Sequence, residues 1–237
     1  MSDTRSIPWT VTILTLFPEM FPGALGISLV GKARDKELWS LEVRDIREHG
    51  IGKHRTVDDT PAGGGPGMVM RADVAAAAID AVDRAGRPLI YLSPRGAPLT
   101  QARVKTLAAG PGAVLVCGRF EGLDERVIAA RRIEEISLGD FVLAGGEIAA
   151  MALVEAAVRL LPGVLGDDAS PQDESFAAGL LEYPQFTRPQ SWEDRGIPEV
   201  LTQGNHKEIF KWRKAEAERL TRLRRPDLWT LYEKGKA

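Results

Sequence analysis

Short apolar segments rich in β-branched residues alternate with segments of helical periodicity between residues 10 and 161. Buried strands are predicted for the segments TVTILTLF, SLEVRDI, PLIYLSP, AVLVCG, and EEISLG continuing into FVLAG. Helices are predicted for residues 18–34, 73–85 with Asp73 as the N-cap, 100–110, 123–133 and 147–161. This alternation is typical of an α/β domain with a mostly parallel sheet.

The pattern changes after residue 161. The segment PGVLGDDASPQDESFAAG is rich in Gly, Pro, Ser and Asp and has no basic residue, which indicates a mobile linker. Beyond it, PEVLTQGNHKEIFKWRKAEAERLTRLRRPDLW has helical periodicity, with Asn205 as N-cap, Glu208 as its capping-box partner and Pro226 as the stop. We therefore expect an α/β domain over residues 1–165, a linker over 166–178 and a small all-helical domain over 179–237.

The composition is that of a globular protein. With 237 residues, of which 44% are hydrophobic, the chain can bury a sizeable core. Its longest apolar runs, such as residues 75–79, are far shorter than the roughly 18 to 20 residues of a membrane span. The N-terminal sequence MSDTRSIPW has no basic region followed by an apolar core, so it does not resemble a signal peptide. A cytoplasmic protein without a membrane partner is expected.

Cysteine and histidine usage argues against a metal site. The single cysteine, Cys117, excludes an internal disulfide and a zinc site of the multi-cysteine kind. The three histidines are too poorly spaced for a metal cage, so no transition metal is predicted.

Charge is unevenly distributed along the chain. The overall formal charge of −2 argues against indiscriminate nucleic-acid binding. Between residues 207 and 225, however, eight basic residues stand against three acidic ones. A local basic helix on a slightly acidic protein predicts an element that faces phosphate groups.

The segment GISLVGKA, residues 26–33, matches the P-loop pattern G-x-x-x-x-G-K but has Ala33 where a hydroxyl residue is needed for Mg²⁺. It also lies inside a predicted helix instead of at a strand-to-helix turn, so a phosphate cradle could not form. A chance match is favoured, and a P-loop NTPase is kept as an alternative.

The segment DDTPAGGGPGMVM, residues 58–70, contains three consecutive glycines. Glycine allows positive φ and a close backbone approach to a partner, at an entropic cost that a simple connection need not bear. A binding loop is therefore favoured over a flexible connection. The preceding KHRTVDD carries charged and imidazole groups suited to polar contacts with a nucleotide, although a solvated loop would have a similar composition.

Three predicted strands end in turns of small residues, in YLSPRG, CGRFEGLDER and SLGDFVLAGGE. In open α/β sheets, ligands bind beyond the carboxyl ends of the strands. The three turns therefore predict a concave pocket of backbone donors and carbonyls. The dinucleotide pattern G-x-G-x-x-G is absent from this region.

These segments, together with LFPEMF, PGVLG and DESFAAGLLEYPQFTRP, resemble the bacterial tRNA (guanine-N1)-methyltransferases of the TrmD family over nearly the whole chain. The resemblance implies a SPOUT-class α/β domain whose C-terminal part, about residues 88–161, is threaded into a deep trefoil knot, an exception to the rule against knots. It also implies a homodimer in which each active site is completed by the partner subunit. The implied reaction is methylation, with S-adenosylmethionine, of N1 of the guanosine 3′ of the anticodon, position 37 of tRNA.

The resemblance further implies that the three turns hold S-adenosylmethionine in a bent shape, with its adenine contacted by main-chain groups near Leu138, Phe141 and Leu143. The implied cofactor-binding residues are Tyr91, Leu92, Ser93, Pro94, Gly96, Cys117, Gly118, Phe120, Glu121, Gly122, Ser137, Leu138, Gly139, Phe141, Leu143, Gly145 and Gly146. The glycine loop and the C-terminal domain are expected to grip the tRNA anticodon stem-loop. The residues assigned to this role are Lys53, His54, Asp58, Gly63, Gly64, Gly65, Arg213 and Lys214.

Removing the proton from guanine N1 leaves negative charge on O6, so a carboxylate base and a nearby arginine are expected. The resemblance implies Arg159 for O6 and a base within QDESF. The family normally has Asp directly before the Ser, whereas this chain has Glu174 there and Asp173 one position earlier. Glu174 is the hypothesised base and Asp173 the alternative.

The same resemblance bears on Phe120, on Mg²⁺ and on an alternative function. Phe120 occupies a position where Tyr is common. The family is expected to need Mg²⁺, for which no fixed site is predictable. A non-catalytic RNA-binding protein that kept the fold and lost the base is an alternative function.

Overall fold

The computed structural model describes residues 8–166, 174–176 and 178–236. The chain divides into two compact units, Met1–Gly166 and Asp167–Ala237. Most of the expected linker, residues 167–173 and 177, lies outside the described residues. The proposed domain limits therefore stay a prediction.

The N-terminal unit is an α/β structure. Its strands are β1 (Trp9–Thr15), β2 (Trp39–Asp45), β3 (Asp58–Asp59), β4 (Val69–Met70), β5 (Leu89–Pro98), β6 (Gly112–Val116) and β7 (Glu134–Ser137). Its helices are α1 (Ser28–Asp35), α2 (Ala72–Asp80), α3 (Gln101–Ala108), α4 (Glu125–Arg131) and α5 (Glu147–Val158). The main sheet has the order β2-β1-β6-β5-β7, and every pair in it is parallel. The predicted α/β class with a mostly parallel sheet is thus confirmed.

Both faces of this sheet are covered by helices. In β6, Ala113 and Leu115 belong to a core with residues of α1, α3 and α5, while Val114 and Val116 belong to a second core with α2 and α4. Successive side chains of a strand point to opposite faces, so a strand covered on both sides must be apolar throughout. This is why AVLV appears as a continuous hydrophobic run in the sequence.

The predicted helix over residues 18–34 is broken into two 3₁₀ turns, Pro18–Met20 and Gly23–Gly26, followed by α1. Pro22 cannot donate a backbone hydrogen bond, and Gly23 has a φ of +52°, so a continuous α-helix is interrupted here. The P-loop-like segment therefore lies on the second turn and α1, with Lys32 exposed on the helix. Residues 26–33, all within the described part of the chain, therefore do not form the strand-to-helix loop that the P-loop alternative requires.

Two further predicted boundaries are wrong. Helix α2 begins at Ala72 with Arg71 as its N-cap, so Asp73 is not the cap, and the helix ends at Asp80 instead of residue 85. The segment FVLAG is a loop, because the chain turns sharply after β7. Gly139 N–H donates to Ser137 Oγ at 3.2 Å and Phe141 N–H donates to Gly139 O at 2.9 Å, which closes the turn before a strand can continue.

The C-terminal unit contains α6 (His206–Arg224), α7 (Pro226–Lys236) and an antiparallel hairpin of β8 (Ser191–Trp192) and β9 (Arg195–Gly196). The expectation of an all-helical domain is wrong because of this hairpin. Strands of only two residues are too short to show an alternation of apolar and polar residues in the sequence. The predicted N-cap is confirmed, since Asn205 accepts the Glu208 N–H at 3.4 Å. Pro226 ends α6 but also begins α7, where the first position of a helix tolerates proline. Within the described residues, none of the helices is both long and apolar enough to cross a bilayer.

Candidate active site

A cavity of about 330 Å³ opens at the carboxyl ends of β5, β6 and β7, which are neighbours in the sheet. It is lined by the three turns that follow these strands, at residues 91–95, 118–123 and 136–139 with 141–146, and by Ala149 of α5. The three turns that the sequence singled out therefore come together around one cavity. Of the seventeen residues assigned to the cofactor, fifteen line the cavity, and Gly96 and Cys117 do not.

The first turn is a bulge in β5. Pairing with Ile136 of β7 shifts between Leu92 and Ala97, so the residues between them leave the ladder and face the cavity. Gly96 is the exception, because a Cβ atom there would lie 2.4 Å from the main-chain carbon of Glu135. Gly96 thus allows the bulge to pack against β7.

Tyr91 supports the second turn. A Cβ atom on Gly118 would lie 2.6 Å from the Tyr91 ring, and one on Gly122, which has a φ of +113°, would lie 2.7 Å from the Tyr91 hydroxyl. Both glycines are therefore needed for the turn to lie on the ring. Burial raises the pKa of Tyr91 above its usual value, which disfavours the phenolate further.

Cys117 lies just before this turn but faces the core and is fully buried. Burial raises the pKa of its thiol well above the usual value, and the nearby Glu147 carboxylate raises it further. Its side chain packs as an apolar core residue and does not line the cavity.

The third turn packs directly on the second. Gly146 N–H donates to Gly118 O at 3.0 Å, and a Cβ atom on Gly146 would lie 2.8 Å from Cys117 Cα. The main chains of the second and third turns therefore contact each other directly, with no side chain between them. The outer part of this turn exposes apolar side chains, with Phe141 53% and Val142 84% exposed.

A buried ion pair that the sequence analysis missed ties these turns together. Arg119 Nη2 lies 3.0 Å from Glu147 Oε2, and Arg119 Nη1 donates to Ala144 O at 3.2 Å. Glu147 is 1% exposed, accepts the Thr15 hydroxyl at 2.7 Å, and lies in the first turn of α5, where the helix dipole favours a carboxylate. The sequence signal that could have located Glu147 is a glutamate directly after a glycine pair at the predicted start of a helix.

The charges around the cavity are not those of a phosphate site. Its two lining arginines are both neutralised, Arg119 by Glu147 and Arg95 by Glu125 at 2.9 Å and Glu135 at 3.2 Å. The Glu121 carboxylate also lines the cavity and forms no ion pair within the described part of the chain. Electrostatic complementarity therefore favours a neutral or cationic ligand over an anionic one.

The glycine loop is joined to the cavity at its end. Glu121 N–H donates to Met68 O at 2.9 Å and Met70 N–H donates to Gly122 O at 2.8 Å. Gly63, Gly64 and Gly65 all have positive φ, are exposed, and have open space where a Cβ would stand. The loop therefore extends into solvent from an anchored base.

Lys53 and His54 are exposed in the turn closed by the Ile51–Thr56 bridge, and Asp58 pairs with Met70 across the β3-β4 ribbon. Lys53 and His54 thus share the exposed surface before β3, while Asp58 is held beside the base of the glycine loop.

Sequence comparison agrees with this geometry. The family model for tRNA (Guanine-1)-methyltransferase TrmD matches residues 9–231. The chain belongs to the TrmD family. It is 68% identical over 222 residues to a tRNA (guanine-N(1)-)-methyltransferase of Rhodopseudomonas palustris, covering 93% of this chain and 90% of the relative. Proteins of the same name from Nitrobacter winogradskyi, 65% identical with 93% of both chains covered, and Bradyrhizobium diazoefficiens, 63% identical with 95% and 91% covered, are also similar.

The residues that the TrmD resemblance assigns to catalysis are not all gathered at the cavity. Arg159 directly follows α5, ten positions after Ala149 in the cavity wall. At 1.5 Å per residue this places Arg159 about 15 Å further along the helix axis. Glu174 belongs to the C-terminal unit, and Asp173 lies outside the described residues.

The remaining TrmD assignments lie on α6. Arg213 is half-buried, with its guanidinium 4.8 Å from the centre of the Tyr183 ring, whereas Lys214 is exposed.

Phe120, which lines the cavity, is 52% exposed and has a φ of +59°. Within the described residues, no cluster of three or more His, Cys, Asp or Glu side chains could hold a metal ion.

Proposed function

We propose that this TrmD-family enzyme transfers a methyl group from S-adenosylmethionine to N1 of the guanosine 3′ of the anticodon, position 37 of tRNA. As a family member with relatives named tRNA (guanine-N(1)-)-methyltransferase at 63 to 68% identity, the chain is a tRNA methyltransferase. The donor, the position in tRNA and the residue roles are the proposed part. A cytoplasmic location is part of the same proposal.

The observation that carries this proposal is the charge of the cavity. S-adenosylmethionine has a cationic sulfonium and no phosphate, and the cavity has paired arginines with an additional Glu121 carboxylate. Its volume of about 330 Å³ lies in the range of small-molecule sites. The residues present therefore fit the donor better than they fit ATP.

In this proposal the main chain of the third turn, near Leu138, Phe141 and Leu143, holds the adenine, and the glycine turns at 118 and 122 hold the rest of the molecule. Bound S-adenosylmethionine supplies an electrophilic methyl group. Such a displacement requires orientation and electrostatics more than covalent help from the protein. The rigid backbone packing between Gly118 and Gly146 is suited to that task.

The chain itself must manage the proton on guanine N1. We assign this proton to a carboxylate of the QDESF segment, with Glu174 as the base and Asp173 as the alternative. Arg159 is assigned to stabilise the negative charge that develops on O6.

The separation along α5 supports the proposed homodimer. An arginine side chain cannot bridge about 15 Å, so Arg159 cannot reach the cavity of its own subunit. A partner subunit placed against the cavity mouth would supply the second Arg159. The exposed apolar side chains Phe141 and Val142 at that mouth are typical of a surface that another chain covers.

Three finer assignments belong to the same proposal. A trefoil knot over about residues 88–161 is part of this proposal, and within that segment the hydrogen bond from Gly146 to Gly118 holds the second and third turns in direct contact. The glycine loop and the C-terminal unit, joined to the α/β domain by the segment 166–178, would bind the anticodon stem-loop. A Mg²⁺ requirement, which the resemblance implies, is given no fixed site in this proposal.

A single-turnover assay tests the proposal. Excess enzyme is incubated with S-adenosylmethionine and a tRNA transcript bearing G at position 37, with an A37 transcript as the control, and N1-methylguanosine is measured by mass spectrometry after digestion. Calorimetry compares binding of S-adenosylmethionine with ATP. Product from G37 alone, with binding of S-adenosylmethionine and not of ATP, supports the proposal. Binding of tRNA and S-adenosylmethionine without product would instead indicate a non-catalytic RNA-binding protein.

A further inference from the structure

The first half of α6 presents a stripe of four exposed residues. Lys207, Phe210, Lys211 and Lys214 occupy positions i, i+3, i+4 and i+7, which lie on one face of a helix. All four are exposed, and Phe210 is exposed to 68%. We name these residues the Lys–Phe stripe.

The opposite face of α6 packs inside the C-terminal unit. Trp212 contacts the Phe186 ring with centroids 6.1 Å apart, and Leu220 is buried. The helix is therefore already held by its other face. Phe210 contributes little to this packing, since two thirds of its surface is left in water.

Within the described residues, two of the three lysines in the stripe lack a protein partner. Further along the chain, Arg219 pairs with Glu216 at 2.7 Å, Arg225 pairs with Asp227 at 2.6 Å, and Arg222 lies 4.4 Å from the Trp229 ring. Lys211 pairs with Glu208 at 2.8 Å. Within the described residues, Lys207 and Lys214 form neither a salt bridge nor a side-chain hydrogen bond, so their charges are available to an external ligand.

We propose that the Lys–Phe stripe binds a single-stranded part of the tRNA, with the Phe210 ring stacked on an unpaired base and Lys207 and Lys214 against the flanking phosphates. An aromatic ring between lysines combines the two interactions by which proteins hold single-stranded RNA, stacking and charge neutralisation. An apolar protein partner is a poorer match, because three ammonium groups around the ring would lose water on burial. This inference rests on the proposed tRNA substrate. It adds a contact of Phe210 with a base to the contacts that the basic helix is expected to make with phosphates.

The test compares tRNA affinity across substitutions of Phe210, with Leu223→Ala as a matched control. Leu223 is 71% exposed on the same helix, roughly 140° around its axis from Phe210. Loss of one base–aromatic stack predicts roughly 5- to 150-fold weaker binding for Phe210→Ala and near wild-type binding for Phe210→Trp. Phe210→Leu, which keeps an apolar surface but no flat ring, is expected to behave like Phe210→Ala.

Salt dependence separates the two parts of the stripe. The slope of log affinity against log salt should be unchanged in Phe210→Ala and should fall by roughly 0.7 for each of Lys207→Ala and Lys214→Ala. Gel filtration of the free variants reports whether Phe210 instead contacts another protein chain. Circular dichroism confirms that the variants are folded, which the exposure of Phe210 leads us to expect.

Three outcomes would overturn the inference. Phe210→Ala could bind tRNA as tightly as Leu223→Ala, Phe210→Leu could retain full affinity, or Phe210→Ala could change the oligomeric state without changing RNA affinity. If the unsubstituted enzyme forms N1-methylguanosine while any of these holds, only the stripe assignment fails. If the unsubstituted chain binds no tRNA, the proposed function and the stripe fail together.

Discussion

Arg119 in the turn after β6 and Glu147 in the first turn of α5 form a buried ion pair, with Nη2 and Oε2 3.0 Å apart. Because Arg119 also donates to Ala144 O, the pair fixes the third turn of the cavity to the second. Arg119 is further held over the Phe17 ring, 4.2 Å from its centre. The shape of the cavity thus depends on two charged residues that need not touch the ligand.

The first prediction concerns removal of one partner of this pair. Arg119→Ala leaves the Glu147 carboxylate buried without its cation, a change that costs about 3 to 5 kcal/mol in other proteins. It should also weaken S-adenosylmethionine binding, since Ala144 O loses its donor. Urea unfolding and calorimetry measure the two effects. The matched control is Arg131→Ala, which breaks the exposed pair with Asp80 and should cost at most about 1 kcal/mol. Equal losses in both variants would contradict the role given to Arg119.

The second prediction tests the backbone contact between the turns. A methyl group on Gly146 would lie 2.8 Å from Cys117 Cα, and backbone cannot move aside as a flexible side chain can. Gly146→Ala should therefore reduce S-adenosylmethionine affinity at least about tenfold, because overpacking forces the two turns apart. The control is Gly166→Ala, where a Cβ would meet no atom within 4 Å. Wild-type affinity in Gly146→Ala would show that the cavity does not depend on this contact.

Much of the fold and of this site could be predicted from the sequence, because local chemistry specifies it. Glycine turns after apolar runs located the three walls, and Asn205 was a correct N-cap. The Arg119–Glu147 pair could not be predicted in the same way, since the parallel fold brings together side chains 28 positions apart. FVLAG was misassigned as a strand because apolar composition does not show that Ser137 and Gly139 turn the chain first.

The third prediction concerns Cys117. The resemblance assigned it to the cofactor, whereas the structure buries it in the core, with the pKa of its thiol raised well above the usual value. Because the thiolate is the reactive form, native Cys117 should react with a disulfide reagent at pH 8 much more slowly than the unfolded chain. Saturating S-adenosylmethionine should slow labelling of the Cys117 thiol only by making unfolding rarer. It should not shield the thiol by direct contact. Rapid labelling in the native state would place the thiol in the cavity.

A raised thiol pKa also sets the direction of a pH effect. The folded state favours the protonated thiol, so this contribution to stability is complete below the pKa of the unfolded chain. It is lost as the pH rises above that value, because the unfolded state then gains by releasing the proton. Unfolding at several pH values above neutrality measures this loss, and Cys117→Ala should remove it. The same loss in Cys117→Ala would assign the effect to other groups.

The fourth prediction tests whether two subunits share a site. Arg159→Ala and Gly146→Ala should each be poorly active alone, the first through loss of the charge at O6 and the second through its cavity. If the site is shared, the intact cavity of one subunit meets the intact Arg159 of the other in a mixed dimer. Equal mixing should therefore restore about a quarter of the wild-type sites, since half of the dimers are mixed and each has one complete site.

The matched control places both substitutions in one chain and mixes it with wild type. If the site is shared, mixed dimers of this kind contain no complete site. Single-turnover methylation after subunit exchange measures both mixtures. If the two single variants stay inactive together while the wild-type and doubly substituted mixture keeps half its sites, Arg159 acts within its own subunit.

The fifth prediction concerns the base. Glu174 directly precedes Ser175, whose hydroxyl accepts the Glu182 N–H at 3.0 Å, and Phe176 N–H donates to Leu180 O at 2.7 Å. The residues after Glu174 are thus fixed to the C-terminal unit, which favours it as a positioned base. A lost general base typically costs about 10² to 10⁴ in rate. Glu174→Gln should slow single-turnover methylation by that order with little change in S-adenosylmethionine affinity.

Conservative substitutions distinguish the two carboxylates. Glu174→Asp keeps the acid and shortens it by one methylene, so it should retain much of the activity, whereas Asp173→Asn should have a mild effect. Glu174→Gln should not recover the rate of Glu174→Asp, because an amide cannot accept the N1 proton. A near wild-type rate in Glu174→Gln, together with loss of turnover in Asp173→Asn, would assign the base to Asp173.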